Sequence, residues 1–288
     1  MSYSIFDGTM VDMAWPELEK AIKEGSVVLL PTGVIEEHGP HMSIGVDAYL
    51  SYLVCKLTKY ELERRNIKAL IAPPCYWGIN NVTGSFPGSF NVREETMKCL
   101  IHDILASLKR WGVTYVFNIN WHDDYRHCRA LIEAISEAGK AIGIKAYSII
   151  SGALAGRLGL EGDKSSVLTY ESPFPVQSGA RSGPKGLDIH AGSGETGTMV
   201  KYFPDEVDVG LARRLKATDL THEDFRVWRK GWDDAMKITP LGYLGDPANF
   251  DAESGKQYVE GLCKILAGVI ETFLKGNYSP ENHVRKES

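Results

Sequence analysis

The stretch Pro31-Thr32-Gly33-Val34-Ile35-Glu36-Glu37-His38-Gly39-Pro40-His41-Met42-Ser43-Ile44-Gly45-Val46-Asp47 decides how the chain is read. The apolar run Val27-Val28-Leu29-Leu30 leads into it, and Leu50, Leu53, Val54 and Leu57 follow at helical spacing. A buried strand therefore ends just before a helix over 47–64. Between them lie two glutamates, two histidines and an aspartate within twelve positions, broken by glycines and a proline. Ligands of open α/β sheets bind beyond the carboxyl ends of the strands, and oxygen and imidazole donors gathered there suit a metal ion. Glu36 and His38 are two apart, so extended backbone sends both side chains the same way. Asp47 has a plainer reading as well, because capping and the macrodipole favour a carboxylate at a helix entrance. Taken alone, the stretch is either a metal-binding loop or a polar loop with a capping aspartate.

The rest of the chain repeats this grammar. A short helix over 15–25 has Pro16 in its first turn and Gly25 at its end. Ala69–Ala72 reads as a second strand, stopped by Pro73-Pro74. The Gly- and Asn-rich loop 78–89, which contains Ser85-Phe86-Pro87-Gly88-Ser89, is either functional or a wide surface turn. Glu94–Arg110 is an amphipathic helix with Met97, Leu100, Ile101, Ile104 and Leu108 on one face. Thr114–Ile119 is a third strand that runs into Asn120-Trp121-His122-Asp123-Asp124-Tyr125, with a helix from about 126 to 139. Lys145–Ile150 is a fourth strand. Residues 152–186 are less regular, and 178–186 is either a solvated loop or a lid carrying Arg181. In Asp188-Ile189-His190-Ala191-Gly192-Ser193-Gly194-Glu195-Thr196, small residues flank His190 and Glu195 and permit close approach of backbone or ligand. A last amphipathic helix covers 252–275, and the tail from about 278 is polar. Strands alternating with helices predict one domain over 1–288, a three-layer α/β/α sandwich around a mostly parallel sheet.

Composition removes several function classes. A net charge of −5 gives no reason to expect nucleic acid or an anionic membrane as partner. The five cysteines are scattered, with no CxxC, which suits a reducing cytoplasm. The amino terminus lacks the regions of a signal peptide, and no apolar run is long enough to span a bilayer. No Walker sequence is present, which argues against P-loop nucleotide binding. No GxSxG is present and no cysteine lies in the donor-rich loops, so covalent catalysis is the weaker route.

The chemistry-bearing candidates are Glu36, His38, Asp47, His122, Asp124, His190 and Glu195. A mixed imidazole and carboxylate set without thiolate suits Zn²⁺, Mn²⁺ or Fe²⁺. More than four donors imply two divalent ions, and an aspartate such as Asp47 can bridge them. Such a pair acidifies a shared water and polarises the carbonyl under attack.

Pro31–His41 with Gly45-Val46-Asp47 resembles the first signature of the creatininase (creatinine amidohydrolase) family. His190-Ala191-Gly192-Ser193-Gly194-Glu195-Thr196 resembles its His-Ala-Gly-x-x-Glu-Thr signature, and Phe86-Pro87-Gly88-Ser89 its Phe-Pro-Gly-Thr segment. The resemblance implies that Glu36 and His122 bind one metal, His38 the other, and that Asp47 bridges them. Asp124 stands where creatininase has a glutamate ligand to the second metal; Glu195 is the alternative ligand there, or orients the catalytic water. His190 matches a histidine that contacts substrate and moves a proton to the leaving group. Trp121, Asp123, Tyr125 and Ser85 are the candidate substrate contacts. The resemblance further implies a homo-oligomer, a hexamer in relatives, acting on a small-molecule substrate.

Two segments depart from the family. Asn120–Tyr125 replaces Asn-Gly-His-Gly-Gly-Asn, and Val82-Thr83 replaces a Glu-His pair, both at positions that face substrate in relatives. Creatinine is therefore not implied as the substrate. The expectation is opening of a cyclic amide or cleavage of a related C–N bond. The family also contains a hydrolase that opens the ring of an oxidised inositol, so C–C cleavage is the alternative. A catalytically silent binding relative is the contrasting class.

Overall fold

The structure is a computed structural model and describes residues 7–160, 165–172 and 187–279. The expected lid with Arg181 lies outside the described residues, as does the tail beyond 279. The chain runs α1 (Trp15–Lys23), β1 (Val27–Thr32), α2 (Val46–Glu63), β2 (Ala69–Ile71), α3 (Glu94–Arg110), β3 (Tyr115–Asn120), α4 (Tyr125–Ile142) and β4 (Lys145–Ser151). It continues through α5 (Gly152–Leu158), β5 (Val167–Tyr170), α6 (Ser193–Tyr202), α7 (Val209–Ala212), α8 (His222–Trp228), α9 (Trp232–Ile238) and α10 (Ala252–Leu274).

The five strands form one sheet in the order β2-β1-β3-β4-β5, with every pairing parallel. Parallel strands need a crossover between them, and the intervening helices cover both faces. Alternation along the strands shows the two layers. Leu29, Ile71, Phe117 and Ile149 pack with α2 and α10 on one face. Val28, Leu30, Leu70 and Val116 pack with α3 and α4 on the other. The three-layer α/β/α expectation holds.

The strand order reverses direction at β1. β2 lies on one side of it, and β3, with everything later, lies on the other. A crevice opens at such a switch point, outside the carboxyl ends of the strands. Both donor-rich loops leave those ends, one after β1 and one after β3. Gly33 makes the first loop possible. A Cβ there would stand 2.7 Å from the backbone oxygen of Asp47, so only glycine lets the end of β1 pass the start of α2 this closely.

Candidate metal centre

Six of the seven donor candidates converge in the crevice, and they fall into three overlapping groups. Glu36, Asp47 and His122 form one, His38, Asp47 and Glu195 a second, and Glu36, His38 and His190 a third. Asp47 belongs to two groups because its two oxygens face opposite ways. Oδ2 lies 3.0 Å from His122 Nδ1, and Oδ1 lies 3.4 Å from His38 Nε2. Its carboxylate makes no cap to α2, so the capping reading of Asp47 is set aside.

The rings are held in defined tautomers. His122 Nε2 donates to the carbonyl of Ile79 at 3.0 Å, and His38 Nδ1 donates to the carbonyl of Glu36 at 3.2 Å. Carbonyls only accept, so each bonded nitrogen carries a proton, and in the neutral ring the opposite nitrogen presents a lone pair. For His122 that lone pair meets Asp47 Oδ2 and Glu36 Oε1, each at 3.0 Å. For His38 it meets Asp47 Oδ1 and, at 3.9 Å, Glu195 Oε2. His38 Nε2 and Asp47 Oδ2 are buried without a hydrogen-bond partner. Lone pairs facing lone pairs in a dry site repel unless positive charge lies between them.

The titration behaviour carries the same imprint. Burial pushes the His122 imidazole down, yet the carboxylates of Glu36 and Asp47 outweigh it and hold the ring well above its ordinary range. Burial and the neighbouring His190 lower His38, but Asp47 and Glu195 raise it overall. Asp47 moves the opposite way: burial raises it, while His122 and His38 pull it far below the carboxylate range. The donor set and its orphaned atoms fit divalent metal.

Glu36 accepts from the hydroxyl of Thr83 through Oε2, which leaves Oε1 for the cluster. Glu195 sits in the first turn of α6, where Oε2 takes the Ala191 amide at 2.7 Å and Oε1 takes Trp121 Nε1 at 3.3 Å. Ala191 adopts a left-handed backbone, φ 49°, which aims its N–H at Glu195. His190 is fixed by a bridge to Leu244. Its Nε2 lies 2.9 Å from the carbonyl of Glu37 and 3.2 Å from Glu37 Oε1, while Nδ1 faces Glu36 Oε1 at 4.0 Å. Burial pushes this ring down too, but Glu36 and Glu37 raise it to about 10.

Asp124 is placed differently from its expected role. It is the N-cap of α4, with Oδ1 accepting from the amides of Arg126 (2.8 Å) and His127 (3.2 Å). Oδ2 accepts from the amides of Asn81 (3.1 Å) and Val82 (3.2 Å). Four backbone donors occupy its lone pairs, and it belongs to none of the three groups found among the described residues. Ser85 also departs from expectation: its hydroxyl donates to Asp233 at 2.7 Å, away from the cavity lining.

A cavity of about 540 Å³ opens over the cluster, and Trp121, Asp123 and Tyr125 are among its lining residues. Asp123 is tied to Arg157 by two bonds, at 2.6 and 2.7 Å. Sequence reasoning missed Glu37 as the partner of His190, Thr83 as the partner of Glu36, and the wall formed by Phe225 and Trp228. Glu37 could have been found from its place beside Glu36 in the motif. The wall lies about 190 positions from that motif, and no spacing connects the two.

A sequence model of the creatininase family, described as creatinine amidohydrolase, matches residues 11–270. The chain belongs to the creatininase family. It is 30% identical over 282 residues to the creatinine amidohydrolase of Pseudomonas putida, covering 94% of this chain and 97% of that one. It is 24% identical over 237 residues to a mycofactocin precursor peptide peptidase of Mycobacterium ulcerans, covering 80% and 78%. Among solved structures, a creatininase of Zn-Zn type superposes with a TM-score of 0.68 at 23% identity, over 94% of this chain and 99% of that one. A manganese creatininase gives 0.67 at 21%, over 93% and 98%. Creatininase-family relatives with these names are hydrolases, and the buried cluster of this creatininase-family hydrolase is compatible with metal.

Proposed function

We propose that the chain is a dinuclear metal hydrolase that opens a cyclic amide or cleaves a related C–N bond in a small molecule. The observation that carries this is Asp47, whose two oxygens face one bare imidazole nitrogen each. Glu36, His122 and Asp47 would hold one ion, and His38, Asp47 and Glu195 the other. When bound, the ions supply Lewis acidity to the carbonyl and an acidified water.

The chain's own residues do the remainder. Thr83 fixes the Glu36 carboxylate, and the Ala191 amide and Trp121 indole fix Glu195, so the donors are preorganised. Glu37 holds His190 through Nε2, which leaves Nδ1 toward the cavity. A protonated His190 there gives its proton to the departing nitrogen, the general-acid half of hydrolysis. Trp121, Trp228 and Tyr125 wall the cavity and exclude water from the substrate face.

The test is metal content per chain on protein purified without chelator, followed by a hydrolysis screen of creatinine, formamides, cyclic imides and inositol-derived ketones. About two ions and turnover of one amide class are expected. Turnover confined to the ketones would convert the reading to C–C cleavage. A chain without metal and without turnover would be a silent binding relative. Chelation is also expected to lower the melting temperature, because a ligand bound only by the native state stabilises it.

A further inference from the structure

The cavity is lined by five carboxylates and four cations. The carboxylates are all engaged. Glu36, Asp47 and Glu195 face the donor cluster, Asp124 caps α4, and Asp123 is paired with Arg157. The cations divide otherwise. Arg157 has its partner, whereas Arg126, Arg229 and Lys230 line the same cavity with no ion-pair partner among the described residues. Arg229 lies near the ring of Phe225, 5.7 Å from its centroid, and that ring leaves the charge uncompensated. Three unpaired cations around one mouth run against the sign of a chain whose net charge is −5.

These cations are not randomly placed. One hydrogen-bonded chain positions the backbone of Arg126 and Lys230, and Arg229 directly precedes Lys230. Asp124 takes the amide of Arg126 at 2.8 Å and the amides of Asn81 and Val82. The side-chain amide of Asn81 then donates to the carbonyl of Lys230 at 3.4 Å, and the backbone carbonyl of Asn81 takes the amide of Trp232 at 3.1 Å. The capping aspartate that is absent from the donor cluster therefore ties the start of α4, the 81–82 loop and the corner after α8 into one frame. The donor cluster lies buried in the cavity, aromatic rings form its wall, and the exposed residues Arg126, Arg229 and Lys230 sit at its edge.

We propose that the substrate of this site carries an anionic group, a carboxylate or a phosphate, away from the carbonyl under attack, and that Arg126, Arg229 and Lys230 hold it. The proposal rests on the hydrolase reading for the reaction, but its binding half is independent. A cleft lined by one sign of charge focuses its field and concentrates ligands of the opposite sign. Guanidinium groups pair with planar oxyanions through two parallel bonds.

The experiment compares dihydrouracil with dihydroorotate, the same cyclic amide without and with a carboxylate. Turnover and calorimetric binding are measured on the metal-loaded chain and on its Arg126→Gln/Arg229→Gln/Lys230→Gln variant. Inorganic phosphate and acetate serve as competing ions that separate the two anion types. The expected result is a preference for the carboxylate ring of about tenfold, expressed in KM or Kd and weakened by added salt. That ratio falls toward one in the triple variant. A preference that survives in the variant overturns the proposal, because the anion would then sit on the metal centre. It is equally overturned if neither dihydroorotate nor phosphate binds more tightly to the natural chain than to the variant. Salt-sensitive binding of the anion without hydrolysis of either ring would support the anion site and count against the proposed reaction.

Discussion

Asp47 and Asp124 occupy the same kind of place and meet opposite fates. Each follows a parallel strand, shares its loop with a histidine, and stands at the entrance of an eighteen-residue helix. Asp47 is the second residue of α2, two positions past the cap Gly45, and its carboxylate caps no amide of the helix. Its oxygens are left to His38 and His122. Asp124 is the cap itself, with extended backbone at φ −65° and ψ 128°, and it takes two amides of α4 and two of the 81–82 loop. A shift of two positions relative to the first helical turn separates a carboxylate open to a ligand from one saturated by backbone.

The largest way to break this comparison is to neutralise both residues. Asp47→Asn is expected to lower hydrolysis by about three orders of magnitude or more, because the shared acceptor of both donor groups is lost. Asp124→Asn should retain most of it. Steady-state rates on an active substrate read this directly. The order reverses for stability. Asp124→Ala removes a cap and leaves buried amides unpaired, at a cost of about 2–3 kcal/mol in denaturant unfolding. A loss smaller than about 1 kcal/mol would contradict the saturated-cap account.

The loops also differ in how they hold their second histidine. His127, on the Asp124 side, is satisfied at both nitrogens: Ile79 donates to Nδ1, and Nε2 donates to Asn120. His41, on the Asp47 side, has Nε2 against the Thr196 hydroxyl and a buried Nδ1 with no partner. Burial, helped by His38 and His190, pushes His41 down to about 4. Its folded value lies below the unfolded value of about 6.5. Its contribution is therefore fully present above pH 6.5 and is lost as the pH falls toward 4. His41→Gln should flatten the melting temperature across that window, and a variant with an unchanged acid slope would remove His41 from the account. The smallest effect is expected at Asp123, whose pairing with Arg157 is exposed. Asp123→Asn should change stability by less than about 1 kcal/mol.

This pair of aspartates also marks how far the sequence could be read. The long helices and four of the five strands followed from periodicity, because each presents a face or a run of apolar residues long enough to register. β5 did not, since four residues after an irregular stretch carry almost no pattern. The convergence of Glu36, His38 and His122 was legible from loops that follow parallel strands, while His190 and Glu195 entered through their small-residue setting and the family resemblance. The choice between Asp124 and Glu195 was not legible, because spacing does not record whether a residue is the cap of its helix, as Asp124 is, or lies inside the first turn, as Glu195 does. The cationic edge was equally hidden, since Arg126 and Lys230 are brought together only by tertiary hydrogen bonds.

The most direct measurement is the metal content per chain of the natural protein, Asp47→Asn and Asp124→Asn, each purified without chelator and counted by elemental analysis. The account predicts about two ions in the natural chain and in Asp124→Asn, and fewer than about one in Asp47→Asn. Retention of both ions by Asp47→Asn, or loss of one from Asp124→Asn, would contradict it.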